Sequence, residues 1–182
     1  MKILFLGYSE EQTSLIDFLR SENHKVEWTD NKKICPENYE LTISFGYRYI
    51  IPEKTLKKLN RPIINLHISY LPFNRGAHPN FWSHYEGTIT GVTIHEIDAG
   101  IDTGKIYFRK EIILDDQLTL KDSYYILKKE AEKLFIENFK EIESSNYKPL
   151  IDQREGSYHE KAQLPDWVSW DMKIQEIKNY DK

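Results

Sequence analysis

Pro62-Ile63-Ile64-Asn65-Leu66-His67 begins as an apolar strand and ends on an amide and an imidazole. Strand side chains alternate faces, so Asn65 and His67 point one way while Leu66 packs the other. In an open α/β sheet, ligands bind outside the carboxyl ends of the strands, and polar groups buried there for structure alone would be costly. Upstream, three more strands are predicted: Ile3-Leu4-Phe5-Leu6, closed by Gly7, then 24–28, then 41–45, ending at Gly46. Between the first two, Leu15, Ile16, Phe18 and Leu19 share one helix face, with Ser9 as the expected N-cap. Pro52-Glu53 opens a short helix through Leu59. This alternation implies right-handed βαβ units, an α/β fold and a largely parallel sheet.

Downstream of His67 the pattern breaks. Pro72, Asn74, Gly76 and Pro79 crowd residues 68–80, which read as a long loop, and loops of that length are usually functional or disordered. Residues 81–85 turn helical, and strands over 89–97 and 105–114 flank a Gly-containing turn at 98–104. Thr119-Leu120-Lys121-Asp122 resembles a capping box, and three-four spacing from Leu120 to Ile142 predicts one long helix packed on the sheet. The tail from Ser144 is polar yet carries Trp167, Trp170, Ile174 and Ile177, so it is expected to dock on the body or on a partner subunit of a homodimer.

Bulk properties narrow the function classes. The 182 residues suit one domain, and 25 Lys+Arg against 29 Asp+Glu give a net charge of −4, which argues against nucleic acid as principal partner. Cys35 is the single cysteine, so no intrachain disulfide forms and a reducing compartment fits. The opening apolar run, 3–6, is too short for a signal peptide, and no later segment approaches a membrane span. A soluble cytoplasmic protein is the expectation. The six histidines lack zinc-type spacing, and no metal is expected.

Taken alone, Asn65 and His67 also read as a turn cap and a histidine bonded to a backbone carbonyl. Asp98 and Asp102, in the turn between the last two predicted strands, shift that balance. If that turn lies beside the fourth strand, the Asp102 carboxylate can orient the His67 ring and stabilise its charged form.

Ile64-Asn65-Leu66-His67, Leu71-Pro72, Arg75-Gly76-Ala77-His78-Pro79, Gly91-Val92-Thr93-Ile94-His95 and Gly100-Ile101-Asp102-Thr103-Gly104 follow one another in this order. Together they resemble the folate-dependent formyltransferases, the superfamily of methionyl-tRNA formyltransferase, glycinamide ribonucleotide transformylase and the sugar N-formyltransferases. The resemblance covers roughly residues 1–145, which it implies are a Rossmann-like catalytic domain, with 146–182 a C-terminal extension. It implies that Asn65, His67 and Asp102 are catalytic and that 10-formyltetrahydrofolate is the co-substrate, with no metal. By the same resemblance, the segment 45–51 lines the folate pocket through Tyr47, Tyr49, Ile50 and Ile51. The turn 96–102 would contact the pterin at Ile97, Asp98 and Ile101, largely through backbone groups.

For the acceptor, Tyr8 and Ser9 follow the first strand, where backbone amides can meet a phosphate. Arg75 and His78 stand at the expected substrate mouth, and Trp82 can stack on a base or sugar, although an aromatic stripe on a short helix is more often core. Arg48, Arg75 and Lys105 are the candidate cations for an anionic nucleotide. His95 reads as structural or positioning. The chain lacks Gly-x-Gly-x-x-Gly and the Gly-Ser-Asn-type loop that the resemblance would require of a glycinamide ribonucleotide transformylase. The length and acidity also fit poorly with a methionyl-tRNA formyltransferase, whose second domain is basic. The expected activity is therefore N-formylation of a nucleotide-linked amino-deoxy sugar. Formylation of glycinamide ribonucleotide or another small amine, hydrolysis of the folate, and a non-enzymatic binding module are the alternatives.

Overall fold

The computed structural model of the chain describes residues 1–180. Its elements in chain order are β1 (Lys2–Gly7), α1 (Leu15–Ser21), β2 (Lys25–Thr29), β3 (Leu41–Phe45), α2 (Glu53–Leu56), β4 (Ile64–His67) and β5 (Arg75–Gly76). They continue as α3 (Pro79–Tyr85), β6 (Gly91–Glu96), β7 (Ile106–Glu111), α4 (Leu120–Glu137), α5 (Phe139–Ser144), β8 (Tyr158–His159) and α6 (Ile174–Lys178). Six strands form one sheet in the order β2-β1-β3-β4-β6-β7. The first four run parallel, as the strand–helix alternation predicts. β6 and β7 are antiparallel to their neighbours, because the 97–105 turn folds them into a hairpin added to the β4 edge.

β1 shows why the centre of the sheet is apolar on both faces. Ile3 and Phe5 point into the large core beneath α1 and α4, together with Leu15, Leu19, Leu127 and Phe135. Leu4 and Leu6 point to the opposite face, where Ile51 and Ile63 form a smaller cluster. A strand covered on both sides reads as a continuous hydrophobic run, as Ile3–Leu6 does. α4 is tied to the start of α1 by its buried Glu132, which accepts hydrogen bonds from Thr13 Oγ1 at 2.8 Å and Ser14 Oγ at 3.0 Å. Lys129 Nζ, 2.8 Å from the same carboxylate, pairs its charge.

Several boundaries differ from expectation for local reasons. Ser14, and not Ser9, stands at the N-terminus of α1; the Ser9 carbonyl instead accepts from the N–H groups of Gln12 and Thr13 and closes a separate turn. The expected long helix breaks at Asn138, whose side-chain amide donates to the Leu134 carbonyl at 2.7 Å and so competes with the helix ladder. The capping box of α4 forms as read: the Thr119 hydroxyl accepts from the Asp122 N–H, and the Asp122 carboxylate accepts from the Thr119 N–H. The stretch 68–80 is not a free loop. Its β5 pairs in parallel with β8 of the tail, and α3 already begins at Pro79.

The tail lies on the body. The N–H groups of Leu120 and Lys121 donate to the carbonyls of Met172 and Trp170, and Ile174 and Ile177 are fully buried. Among the described residues, no helix is long and apolar enough to cross a membrane.

Candidate active site

β4 delivers its side chains as alternation requires: Ile64 and Leu66 are buried, while Asn65 and His67 are half-buried on the other face. The antiparallel register sets His95 of β6 opposite Asn65 and Thr93 opposite His67. A register shift between Ile94 and His95, where β6 meets β7, accompanies this pair, and such irregularities re-aim side chains beside functional sites.

His95 is 1% exposed, and burial pushes its pKa down to about 4 despite the opposing charge of Asp102. The ring is therefore neutral near pH 7. Its Nδ1 lies 2.8 Å from the Glu96 carbonyl, which can only accept, so Nδ1 carries the proton. Nε2 is then an acceptor, and it receives a hydrogen bond from Asn65 Nδ2 at 3.0 Å. One N–H of Asn65 is thus spoken for and the amide is held in one orientation, leaving its second N–H free to donate.

Asp102 comes from the turn after β6 and sits at φ +52°, in the left-handed region where few non-glycine residues settle. Its Oδ2 accepts from the Gly76 N–H at 2.9 Å and lies 3.6 Å from His67 Nε2. Its Oδ1 lies 3.6 Å from His95 Nε2. Burial alone would raise the carboxyl pKa, but the neighbouring His67, then His95 and the Gly76 amide, outweigh it, and the net shift is downward. Gly76 is itself constrained: at φ +89°, an added Cβ would stand 2.4 Å from the His159 carbonyl oxygen. Among the described residues, His67 Nε2 is buried without a hydrogen-bond partner. A buried polar atom left open in this way is available to a ligand.

These three side chains border one cavity of about 920 Å³. Tyr47, Tyr49, Ile50 and Ile51 line it from the segment after β3. Ile97, Asp98 and Ile101 line it from the turn after β6. Asp98 Oδ1 accepts from the Gly100 N–H at 3.0 Å and from the Thr103 hydroxyl at 2.7 Å, which braces the turn. His78 borders the cavity too, at φ +55°.

The other proposed acceptor residues lie elsewhere. Tyr8 is behind the site, its ring edge-on to Phe45 at 4.9 Å and its hydroxyl bonded to that of Tyr124. Ser9 is in the turn before α1. Arg75 Nε donates to the Ser157 carbonyl at 3.4 Å. Trp82 is buried and stacks on His159 at 4.0 Å, so it anchors the tail. Of the candidate cations, Arg48 lines the cavity, whereas Lys105 lies 3.5 Å from Glu96. Among the described residues, no three His, Cys, Asp or Glu side chains group as a metal site.

Two contributions escaped the sequence reading. The partnership of His95 with Asn65 depends on register, which spacing along the chain does not give. The wall supplied by Tyr158, Glu160 and Lys161 comes from the tail, and no motif announces it.

A family model described as formyl transferase matches residues 2–139. The methionyl-tRNA formyltransferase of Thermodesulfovibrio yellowstonii is 33% identical over 150 residues, which cover 81% of this chain and 49% of that protein. The dTDP-4-amino-4,6-dideoxyglucose formyltransferase of Mycobacterium bovis is 30% identical over 125 residues, covering 69% and 53%. This chain thus spans about half the length of the curated relatives it matches. Among solved structures, the formyltransferase PseJ from Anoxybacillus kamchatkensis, in complex with UDP-4,6-dideoxy-4-formamido-L-AltNAc and tetrahydrofolate, superposes with a TM-score of 0.87. It is 37% identical, with 97% of each chain covered. From its sequence match and its fold, the chain belongs to the formyl transferase family.

Proposed function

We propose that this chain transfers a formyl group from 10-formyltetrahydrofolate to the amine of a nucleotide-linked amino-deoxy sugar. The observation that carries the reading is the near end-to-end likeness to PseJ, whose complex holds a UDP-linked formamido sugar and tetrahydrofolate. The cavity fits a reduced folate. Tyr49, Ile50 and Ile101 offer exposed apolar surface for flat rings, and Ile97 and Asp98 of the turn after β6 line the same cavity.

When bound, the folate supplies a formyl group whose oxygen gains negative charge as an amine adds to its carbon. Asn65, oriented by His95, donates its free N–H to that oxygen. Removal of a hydrogen bond of this kind typically costs about 100- to 1,000-fold in rate. His67, whose Nε2 has no hydrogen-bond partner among the described residues, takes the proton from the attacking amine and returns it to the leaving nitrogen. Asp102 stabilises the ring while it is positively charged and holds its orientation. The new C–N bond thus replaces the old one with no net gain or loss of protons.

Steady-state assays with 10-formyltetrahydrofolate and a panel of UDP- and dTDP-amino sugars test this reading, with glycinamide ribonucleotide and methionyl-tRNA as competitors. A formamido sugar product is expected. Turnover confined to either competitor, or folate consumption without any amine, overturns the sugar assignment.

A further inference from the structure

The segment 68–80 is the partition between the 920 Å³ cavity and a second one of about 620 Å³, and His78 borders both. It also carries the Gly76 N–H that Asp102 Oδ2 accepts at 2.9 Å. Pairing with the tail aims that N–H. Backbone groups alternate direction along an extended strand. The N–H groups of Arg75 and Ala77 donate to the carbonyls of Ser157 and His159 at 3.0 and 2.9 Å. The N–H of Gly76 between them points the other way, to Asp102.

The ribbon itself is too short to fix this register. β5 and β8 have two residues each, and an isolated two-stranded ribbon is marginal in water. A slip of one residue would reverse which groups face the partner strand. The lock lies one residue upstream, in side chains. Ser157 Oγ accepts from the Asn74 N–H at 2.9 Å and donates to Asn74 Oδ1 at 3.0 Å. Asn74 Nδ2 donates to Thr88 Oγ1 at 2.7 Å, which ties the pair to the end of α3. Asn74 is fully buried and sits at φ +55°, a left-handed conformation that asparagine adopts more readily than most residues.

We propose that Ser157 and Asn74 are positioning residues for formyl transfer. Their exchange of hydrogen bonds sets the register of the β5–β8 ribbon, and through the Gly76 N–H it sets the Asp102 carboxylate against His67. This rests on the formyl-transfer reading above and adds to it a residue, Ser157, outside the stretch 2–139 that the family model matches.

The test is steady-state kinetics of the full chain with 10-formyltetrahydrofolate and whichever UDP- or dTDP-amino sugar of the panel the parent turns over fastest. Ser157→Ala should lower kcat per folded molecule by about 10- to 100-fold, because small displacements of reacting groups are that costly, with KM for the folate unchanged. Ser157→Thr, which keeps a hydroxyl, should restore most of the rate. In an Asp102→Ala background Ser157→Ala should have little further effect, since residues acting through one another are not additive. A parent-like kcat in Ser157→Ala, a loss that Ser157→Thr does not restore, or a loss of equal size with and without Asp102 overturns the proposal and leaves formyl transfer standing. Parent chain that turns over no member of the panel overturns both. Should Ser157→Ala melt below the assay temperature, Thr88→Ala unties Asn74 from the opposite side without touching the tail, and the same fall in kcat is then expected; a parent-like kcat there overturns the proposal.

Discussion

β1 and β4 lie two places apart in the same sheet and bury different chemistry. β1 spends every inward position on hydrocarbon: Ile3, Phe5 and Leu6 are 0% exposed and need no particular partner. β4 sets an amide and an imidazole among its apolar positions, and each is defined by one neighbour, His95 for Asn65 and Asp102 for His67. Apolar packing is graded and tolerates a change of shape at a cost. A polar pair is satisfied or it is not, and that difference separates stability from chemistry in this fold.

The largest expected effect lies with pH and falls on the polar side. His84 and His95 are both held neutral by burial, with pKa values pushed from 6.5 down to about 4. As pH falls below about 6.5 the unfolded chain takes up these protons first, so stability declines until pH reaches the folded-state values. The loss is up to about 3 kcal/mol for each histidine. Below 3.8, protonation of the depressed Asp102 carboxylate continues the decline. Denaturant melts at pH 7, 5.5 and 4.5 check the window; a flat profile across it would show that the two rings are not held neutral.

Phe5→Ala should come next, destabilising the chain by about 3–5 kcal/mol through the cavity it leaves, while turnover per folded molecule is kept. Chemical melts paired with an activity assay at low temperature separate the two. Asn65→Ala should do the reverse. A loss of about 100- to 1,000-fold in kcat is expected, with a melting point near that of the parent and folate binding intact. Equal stability losses in the two variants would erase the contrast between the strands.

That Asn65, His67 and Asp102 border one cavity could be anticipated from the chain because their signals are local. Asn65 and His67 share a face by alternation, and Asp102 stands in a turn bounded by Gly100 and Gly104. The parallel half of the sheet was equally readable in β1, since Ile3–Leu6 is a continuous apolar run buried on both faces. Leu41–Phe45, in contrast, alternates with Thr42 and Ser44 and is buried on both faces all the same. What stayed hidden was pairwise. Nothing in the alternation of Gly91–Glu96 says that it runs antiparallel to β4, so His95 could not be matched to Asn65. Trp82 had the composition of a stacking residue, but the tail carries His159 onto it and closes it off. Ser9 looked like a cap because a hydroxyl preceded the apolar face of α1, yet Ser14 lies nearer and takes that place.

The short ribbon formed by β5 and β8 has a consequence for modularity. It clamps the segment whose Gly76 N–H steadies Asp102, and the residues that follow it form part of the wall of both cavities. A fragment cut at residue 145 would keep Asn65, His67 and Asp102, yet it would lose the brace on one of them and a flank of each chamber. The part of the chain that carries the motifs is therefore smaller than the part that must be present for them to operate. Swapping tails between relatives should transplant substrate preference and catalytic competence together.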